Sequence, residues 1–358
     1  MTDDSVMSNA IKNLGRILKQ CCRTRYLIGG GVILACIILP FLLDHPDERY
    51  SQIRTFPMMG TVGRITIWSD REDLPEAALN EAQKVIGEIE TVCNIFNPDS
   101  ELSRLNRTAY EKEFGCSPLL WEMLCAADHY YKFSSGAFDP TVKPLMQLWG
   151  FRGKRKTLPA EAEIAGTLKK VGWDKVKLDP EKHSVRFLAD GVGIDFGGIA
   201  KGFALDKAKA VLQKLGIMRA VLDFGGNIGC IIPEKHEPFR IGIRNPEAAD
   251  QLVDAVTMRN QCAATSGSYE RYVIIGGEQY SHIMDPRTGK PVSSMLSVTI
   301  VTPRGADSDA LSTAIFVKGE KFAGEVCAKL PDTGVYIIRR PPGKETGMEI
   351  RRFGLFAR

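Results

Sequence analysis

The spacing of hydrophobic and polar residues changes several times along the chain, and each change marks an element. Thr61 to Trp68 (TVGRITIW) alternates apolar and polar positions, the period of a strand with one buried face. Leu74 to Asn94 instead repeats apolar residues at helical spacing, through Leu79, Val85, Ile86, Ile89 and Val92. Similar spacing predicts helices over Pro118 to Phe133, Leu158 to Val171 (with Pro159 in its first turn), Ser308 to Lys318 and Phe322 to Leu330. Val176 to Leu178 and Val185 to Phe187 read as a hairpin. Val221 to Phe224, Phe239 to Ile243, Val253 to Met258, Tyr272 to Ile275, Leu296 to Val301 and Val335 to Ile338 read as further strands. Hairpin-like strands outnumber those of a doubly wound sheet, so the expected class is α+β: a single mixed α/β domain, rich in antiparallel sheet, over residues 50–358.

Ahead of it lies Tyr26 to Leu43 (YLIGGGVILACIILPFLL), 18 residues without a charge. As a helix it would span about 27 Å, close to the roughly 30 Å of a bilayer's hydrocarbon core. Residues 1–25 end in Lys19, Arg23 and Arg25, and Asp44, Asp47 and Glu48 follow the apolar run. The positive-inside rule then predicts a cytoplasmic N-terminal segment (1–25), one transmembrane helix (26–43) and a domain on the periplasmic side of a bacterial inner membrane. A cleaved signal peptide competes, but no convincing small-residue cleavage site follows. Ile33-Leu34-Ala35-Cys36 resembles a lipobox, although the chain stays apolar to Leu43.

Composition narrows the choice. A net charge of +4 among 358 residues, with no Lys/Arg run interleaved with aromatics, argues against a nucleic-acid partner. The nine cysteines include no C-x-x-C pair, so neither a zinc pattern nor a disulfide framework is expected.

The densest chemistry begins at Gly193 to Asp206 (GIDFGGIAKGFALD), read as a strand, a Gly197-Gly198 turn and a helix start, a geometry that presents backbone N–H groups to an anion. A plain tight turn accounts for the same residues. In Gly305 to Ala314, Asp309 and Thr313 are four apart and share a helix face. Their oxygens suit a hard cation such as Mg²⁺, and ordinary Asp or Ser capping is the alternative. Ser281 to Pro291 combines His282, Asp285 and Arg287 around an Asp-Pro/Thr-Gly turn. It yields either an acid–base candidate or turn caps beside a surface histidine. The loop Ala264 to Arg271, with Ser268, offers hydroxyls and amides to a phosphate, and Gly136 to Asp139 offers an aromatic ring and an acid. Residues alone lead as far as Mg²⁺ with a phosphate-containing ligand.

In this order the pieces resemble one family, the ApbE-type FAD:protein FMN transferases. The matching blocks are Met59-Gly60-Thr61, Phe96 to Asn106, Gly136 to Thr141, Leu148 to Phe151, Asp195 to Asp206, Ala264 to Arg271, His282 to Pro291 and Asp309 to Thr313. The resemblance covers roughly residues 55–340 and implies an ApbE-like, T-fold-like domain. It implies FAD as substrate, with Mg²⁺ on its diphosphate. A Thr or Ser hydroxyl of a target protein attacks the FMN phosphorus, AMP leaves, and FMN stays linked by a phosphoester. By position, the Gly198 carbonyl and the side chains of Asp309 and Thr313 would hold the metal. Met59, Phe96, Ala137, Phe138, Asp139, Asp195, Lys201, Ser268 and Ile283 would line the FAD site. His282 would serve transfer, with Asp285 orienting it. The implied partner is the flavin-accepting subunit of a membrane redox complex, of the sodium-pumping quinone reductase type. The same metal site would also suit an FAD pyrophosphatase, and the same cleft a non-catalytic FAD-binding protein.

Overall fold

A computed structural model of the chain describes residues 49–358, apart from Lys154, Glu345 and Arg358. The expected anchor at 26–43 lies outside the described residues, and among those no helix is long and apolar enough to cross a membrane.

Eight strands form one sheet: β1 (Tyr50–Met58), β2 (Thr61–Ser69), β3 (Arg219–Phe224), β4 (Asn227–Ile231), β5 (Cys262–Gly267), β6 (Met295–Thr302), β7 (Gly334–Arg339) and β8 (Glu349–Gly354). Their spatial order is their chain order, and every adjacent pair is antiparallel. Period-two alternation divides the side chains between two cores. In β7, Val335 and Ile337 enter the larger core, while Tyr336 and Ile338 enter the core on the opposite face.

Helices α1 (Leu74–Cys93), α2 (Pro118–Phe133), α3 (Ala200–Lys214), α4 (Gly305–Lys318) and α5 (Glu320–Lys329) contribute buried residues to the larger core. The hairpin Phe239–Asn245/Ala248–Met258 contributes to the second. A third cluster joins Trp149 and Ile164 to Ile275 of the hairpin Tyr272–Ile275/Glu278–Ser281. The Trp149 indole N–H also donates to the Gly289 carbonyl at 2.8 Å. The α+β class with antiparallel sheets is therefore the observed fold, and the predicted helices and hairpins stand within a few residues of their places. The helix expected over Leu158 to Val171 is confined to Glu161–Leu168.

Two local expectations are corrected. Val192 to Asp195 is irregular rather than a strand: the Asn106 side chain holds it, accepting from the Ile194 N–H (2.7 Å) and donating to the Ile194 carbonyl (2.8 Å). No local Asp or Ser caps α4. Asp206, on α3, accepts from the N–H groups of Gly305 (2.6 Å) and Ala306 (2.9 Å), while Asp307 is taken by the Tyr130 hydroxyl. A carboxylate at a helix N-terminus satisfies free N–H donors and complements the helix dipole, from whichever element it comes.

Helices α3 and α4 cross at glycine. A Cβ on Gly202 would lie 2.1 Å from the Gly305 carbonyl oxygen, and one on Gly305 would lie 2.4 Å from that of Gly202. Gly202→Ala should therefore destabilise the fold by about 1–3 kcal/mol or more, the range for overpacking a closed contact. Gly87→Ala on α1, where a Cβ meets nothing within 4 Å, should stabilise by up to about 1 kcal/mol. Denaturant unfolding of both variants checks the opposite signs.

Candidate functional site

The helix crossing sets the site. From one turn into α4, Asp309 reaches back to α3. Its Oδ2 accepts from the Gly202 N–H at 2.9 Å, and its Oδ1 lies 3.5 Å from the Lys201 ammonium. Asp309 is 5% exposed, and these partners replace the water that a buried carboxylate loses. One turn further on, Thr313 faces Gly198: a Cβ built on Gly198 would lie 3.4 Å from Thr313 Oγ1 and 3.3 Å from the Phe138 ring. Gly197 and Gly198 do not adopt positive φ, so at Gly198 the glycine serves close approach rather than a left-handed turn. Gly198, Lys201, Asp309, Thr313 and Phe138 are thus brought together from three distant segments.

Behind Thr313 stands Ser266, at the end of β5. Its hydroxyl lies 3.3 Å from Thr313 Oγ1 and 2.9 Å from Ser312 Oγ. Beside the cluster, Asp195 accepts from the Gly197 N–H and pairs with Arg152, whose guanidinium lies 4.9 Å from the ring centroid of the exposed Phe96. Arg152 Nε is buried without a hydrogen-bond partner among the described residues.

His282 leaves the hairpin that Arg271 enters, and both its backbone N–H and its Nδ1 lie 3.0 Å from the Arg271 carbonyl. A carbonyl only accepts, so Nδ1 carries the proton and the lone pair sits on Nε2. The ring keeps some exposure but is crowded by protein. That crowding, then the charge of Arg271, pushes its pKa down to about 4. Lys201 lowers it further and Asp195 opposes, which places His282 within the field of the cluster. The turn at Met59 (φ 45°) and Gly60 (φ 72°) closes in from β1–β2: Glu90 accepts from the Met59 N–H, and a Cβ on Gly60 would lie 3.5 Å from the Arg271 guanidinium.

Other expected residues have local partners. Asp285 is engaged by Arg287 through its Nε (2.9 Å), its Nη2 (2.8 Å) and its backbone N–H (2.9 Å). The contact that orients His282 therefore comes from the Arg271 carbonyl and not, as expected, from Asp285. Asp139 is buried, and one oxygen accepts from both the N–H and the hydroxyl of Thr141, making it a turn cap. Burial pushes its pKa up against those bonds. Ser268 turns its hydroxyl to the Leu296 carbonyl, and Ala137 and Ile283 are buried beside Phe138 and His282 in the chain. Sequence reasoning missed Arg152, Ser266 and the Arg271 carbonyl. Only the Ala264–Arg271 block signalled any of them. A cavity of about 680 Å³ lined by Asp254, Met258, Tyr336, Arg352 and Phe356 includes none of these groups.

A glycine turn from an irregular segment thus faces a helix that carries a carboxylate and a hydroxyl, and comparison places this arrangement in a known family. The ApbE family model matches residues 59–337, and the chain belongs to the ApbE family. It is 33% identical over 276 residues to a Haemophilus influenzae protein named FAD:protein FMN transferase, covering 74% of this chain and 79% of that one. A Rhodobacter capsulatus protein of the same name is 32% identical over 317 residues, and the match spans 86% of this chain but only 58% of that relative. Among solved structures, the ApbE protein of Thermotoga maritima superposes with TM-score 0.77 at 30% identity, covering 86% of this chain and all of that one. A Vibrio cholerae structure titled flavin transferase ApbE gives 0.73 at 25%, covering 86% and 98%.

The His282 environment makes a pH prediction. Its folded pKa, about 4, lies below its ordinary 6.5, so between those values the unfolded chain binds the extra proton. Stability from this group is therefore complete above about pH 6.5 and falls as pH drops toward 4. An NMR titration of the imidazole should give a midpoint near 4, and Arg271→Ala should raise it. A midpoint at or above 6.5 contradicts the packing described.

Proposed function

We propose that the protein transfers FMN from FAD to a Thr or Ser hydroxyl of a target protein, with Mg²⁺ on the diphosphate, leaving a phosphoester-linked flavin and releasing AMP. The observation that carries this reading is the meeting of Gly198, Asp309 and Thr313 from segments more than a hundred residues apart in sequence, within a chain of this family. The donor set fits a shared ion. No group of three His, Cys, Asp or Glu side chains suited to a metal exists among the described residues. One carboxylate, one hydroxyl and a carbonyl leave coordination positions that substrate phosphates fill, the usual way Mg²⁺ is held. The Gly198 carbonyl, Asp309 and Thr313 would hold the ion, which when bound neutralises diphosphate charge as the P–O bond breaks.

The chain's own groups supply the rest. Lys201, now against Asp309, is placed to share its charge with a phosphate oxygen. Nε2 of the neutral His282 accepts the proton of the acceptor hydroxyl as its oxygen bonds to the FMN phosphorus and the bond to the AMP oxygen breaks. The low pKa keeps the base form present at neutral pH at the expense of basicity. FAD's negative charge beside His282 would raise that pKa and strengthen the base. Phe96, Arg152 and Asp195 offer an aromatic face, a buried N–H and a carboxylate to a ring of the dinucleotide. Met59, Phe138, Ala137 and Ile283 would enclose it, with Asp139 bracing the Phe138 turn and Asp285 bracing the turn after His282. The charge asymmetry around residues 26–43 supports an inner-membrane anchor with the domain on the periplasmic side. That location suits a flavin-accepting subunit of a membrane redox complex.

Incubating the chain with FAD, Mg²⁺ and such a subunit should give covalent flavin on the subunit and one AMP per transfer. Asp309→Ala should abolish both. His282→Ala should lose about 10²–10⁴-fold in transfer while FAD still binds. Equally fast AMP release without an acceptor would make the protein a pyrophosphatase instead, and intact FAD after long incubation would make it a binding protein.

A further inference from the structure

The hydroxyls behind Thr313 can be given directions by counting protons. Each Ser or Thr hydroxyl has one proton and two lone pairs. Ser312 Oγ donates to the Asp309 carbonyl at 2.8 Å, an oxygen that can only accept. Ser312 has no second proton, so in its 2.9 Å contact with Ser266 the donor is Ser266. That uses the proton of Ser266, so in the 3.3 Å contact with Thr313 the donor is Thr313. The other acceptor near Thr313, the Asp309 carbonyl at 3.5 Å, also lies on the inner side. The Thr313 proton therefore points into the protein by either route, and its lone pairs remain for the side where Gly198 sits.

We infer that Ser266 is a positioning residue for a cation. Through the one-way relay Thr313→Ser266→Ser312→Asp309 carbonyl, it turns the Thr313 hydroxyl into an oriented, acceptor-only ligand. The inference rests on the proposed metal–diphosphate site and deepens it. A neutral hydroxyl coordinates through a lone pair, and a proton directed at the ion would oppose binding. Outer partners that orient a ligand typically carry 10–100-fold in metal affinity. The carbonyl terminus fixes the direction, because the last acceptor cannot reverse its role.

The test is a titration of the full-length chain with Mn²⁺ in the presence of ADP, reading free Mn²⁺ by electron paramagnetic resonance. Ser266→Ala should weaken Mn²⁺ binding about 10-fold or more, and Ser266→Thr, which restores a hydroxyl, should recover most of the loss. Ser312→Ala frees the Ser266 proton to point at Thr313 and should also weaken binding. In a Thr313→Ala background, Ser266→Ala should change Mn²⁺ affinity less than twofold, because its partner is gone. A merely structural effect of Ser266 would persist there. Mn²⁺ affinity within twofold of the parent in Ser266→Ala, with the parent binding normally, overturns the relay but leaves the metal–diphosphate reading standing. Absence of Mn²⁺ binding by the parent with ADP overturns that reading, and the relay with it. If Ser266→Ala does not fold, Ser312→Ala and Ser266→Thr decide the question.

Discussion

Two helices touch backbone to backbone where α3 crosses α4, and the rest of the site depends on that contact. With no side chain on Gly202 or Gly305, the carbonyl of each occupies the space a Cβ would need on the other. The closeness lets Asp309 bond to a backbone N–H of a different helix, and it lets Asp206 cap α4 from the opposite direction. Two acids, one from each helix, thus bind the other helix's backbone. The pair is locked against sliding as well as against separation, so the positions of Lys201 and Thr313 follow from the same crossing.

The acids around the site are held chiefly by partners remote in sequence. Asp309 has Lys201 and Gly202, Asp195 has Arg152 and Gly197, and Asp206 has the first turn of α4. Asp309 is buried, the other two are half-buried, and each is offset by an N–H or a cation. The histidine reverses this logic. It has cations nearby and a carbonyl behind it, so it stays neutral and keeps its lone pair.

Much of the fold was legible because period-two and helical spacing survive wherever one face of an element meets a core. Thr61 to Trp68, Leu74 to Asn94 and Pro118 to Phe133 show it. β4 (NIGCI) is buried at every position, and β5 (CAATSG), built from small residues, is buried at four of its six; neither shows alternation, and neither was foreseen. The cap on α4 was unreadable because Asp206 is 99 residues away from Gly305. In the site, the Asp309–Thr313 spacing was visible as one helix face, whereas the meeting with Gly198 rested on family resemblance. Asp285 was expected to orient His282. The Asp-Pro-Arg-Thr-Gly turn commits its carboxylate to Arg287 instead. Arg152 lies in an irregular segment with no periodic signal at all.

The sheet has one further property with consequences beyond the site. Its strands lie side by side in the order the ribosome makes them, each reversing its predecessor. Whatever is inserted between two neighbours must leave and return at adjacent places, so it can grow or shrink without rethreading the scaffold. The 149 residues between β2 and β3, including α1, the Phe138 turn and the Gly198 turn, are such an excursion. Such an excursion can be lengthened or shortened while the strand ladder beneath stays constant.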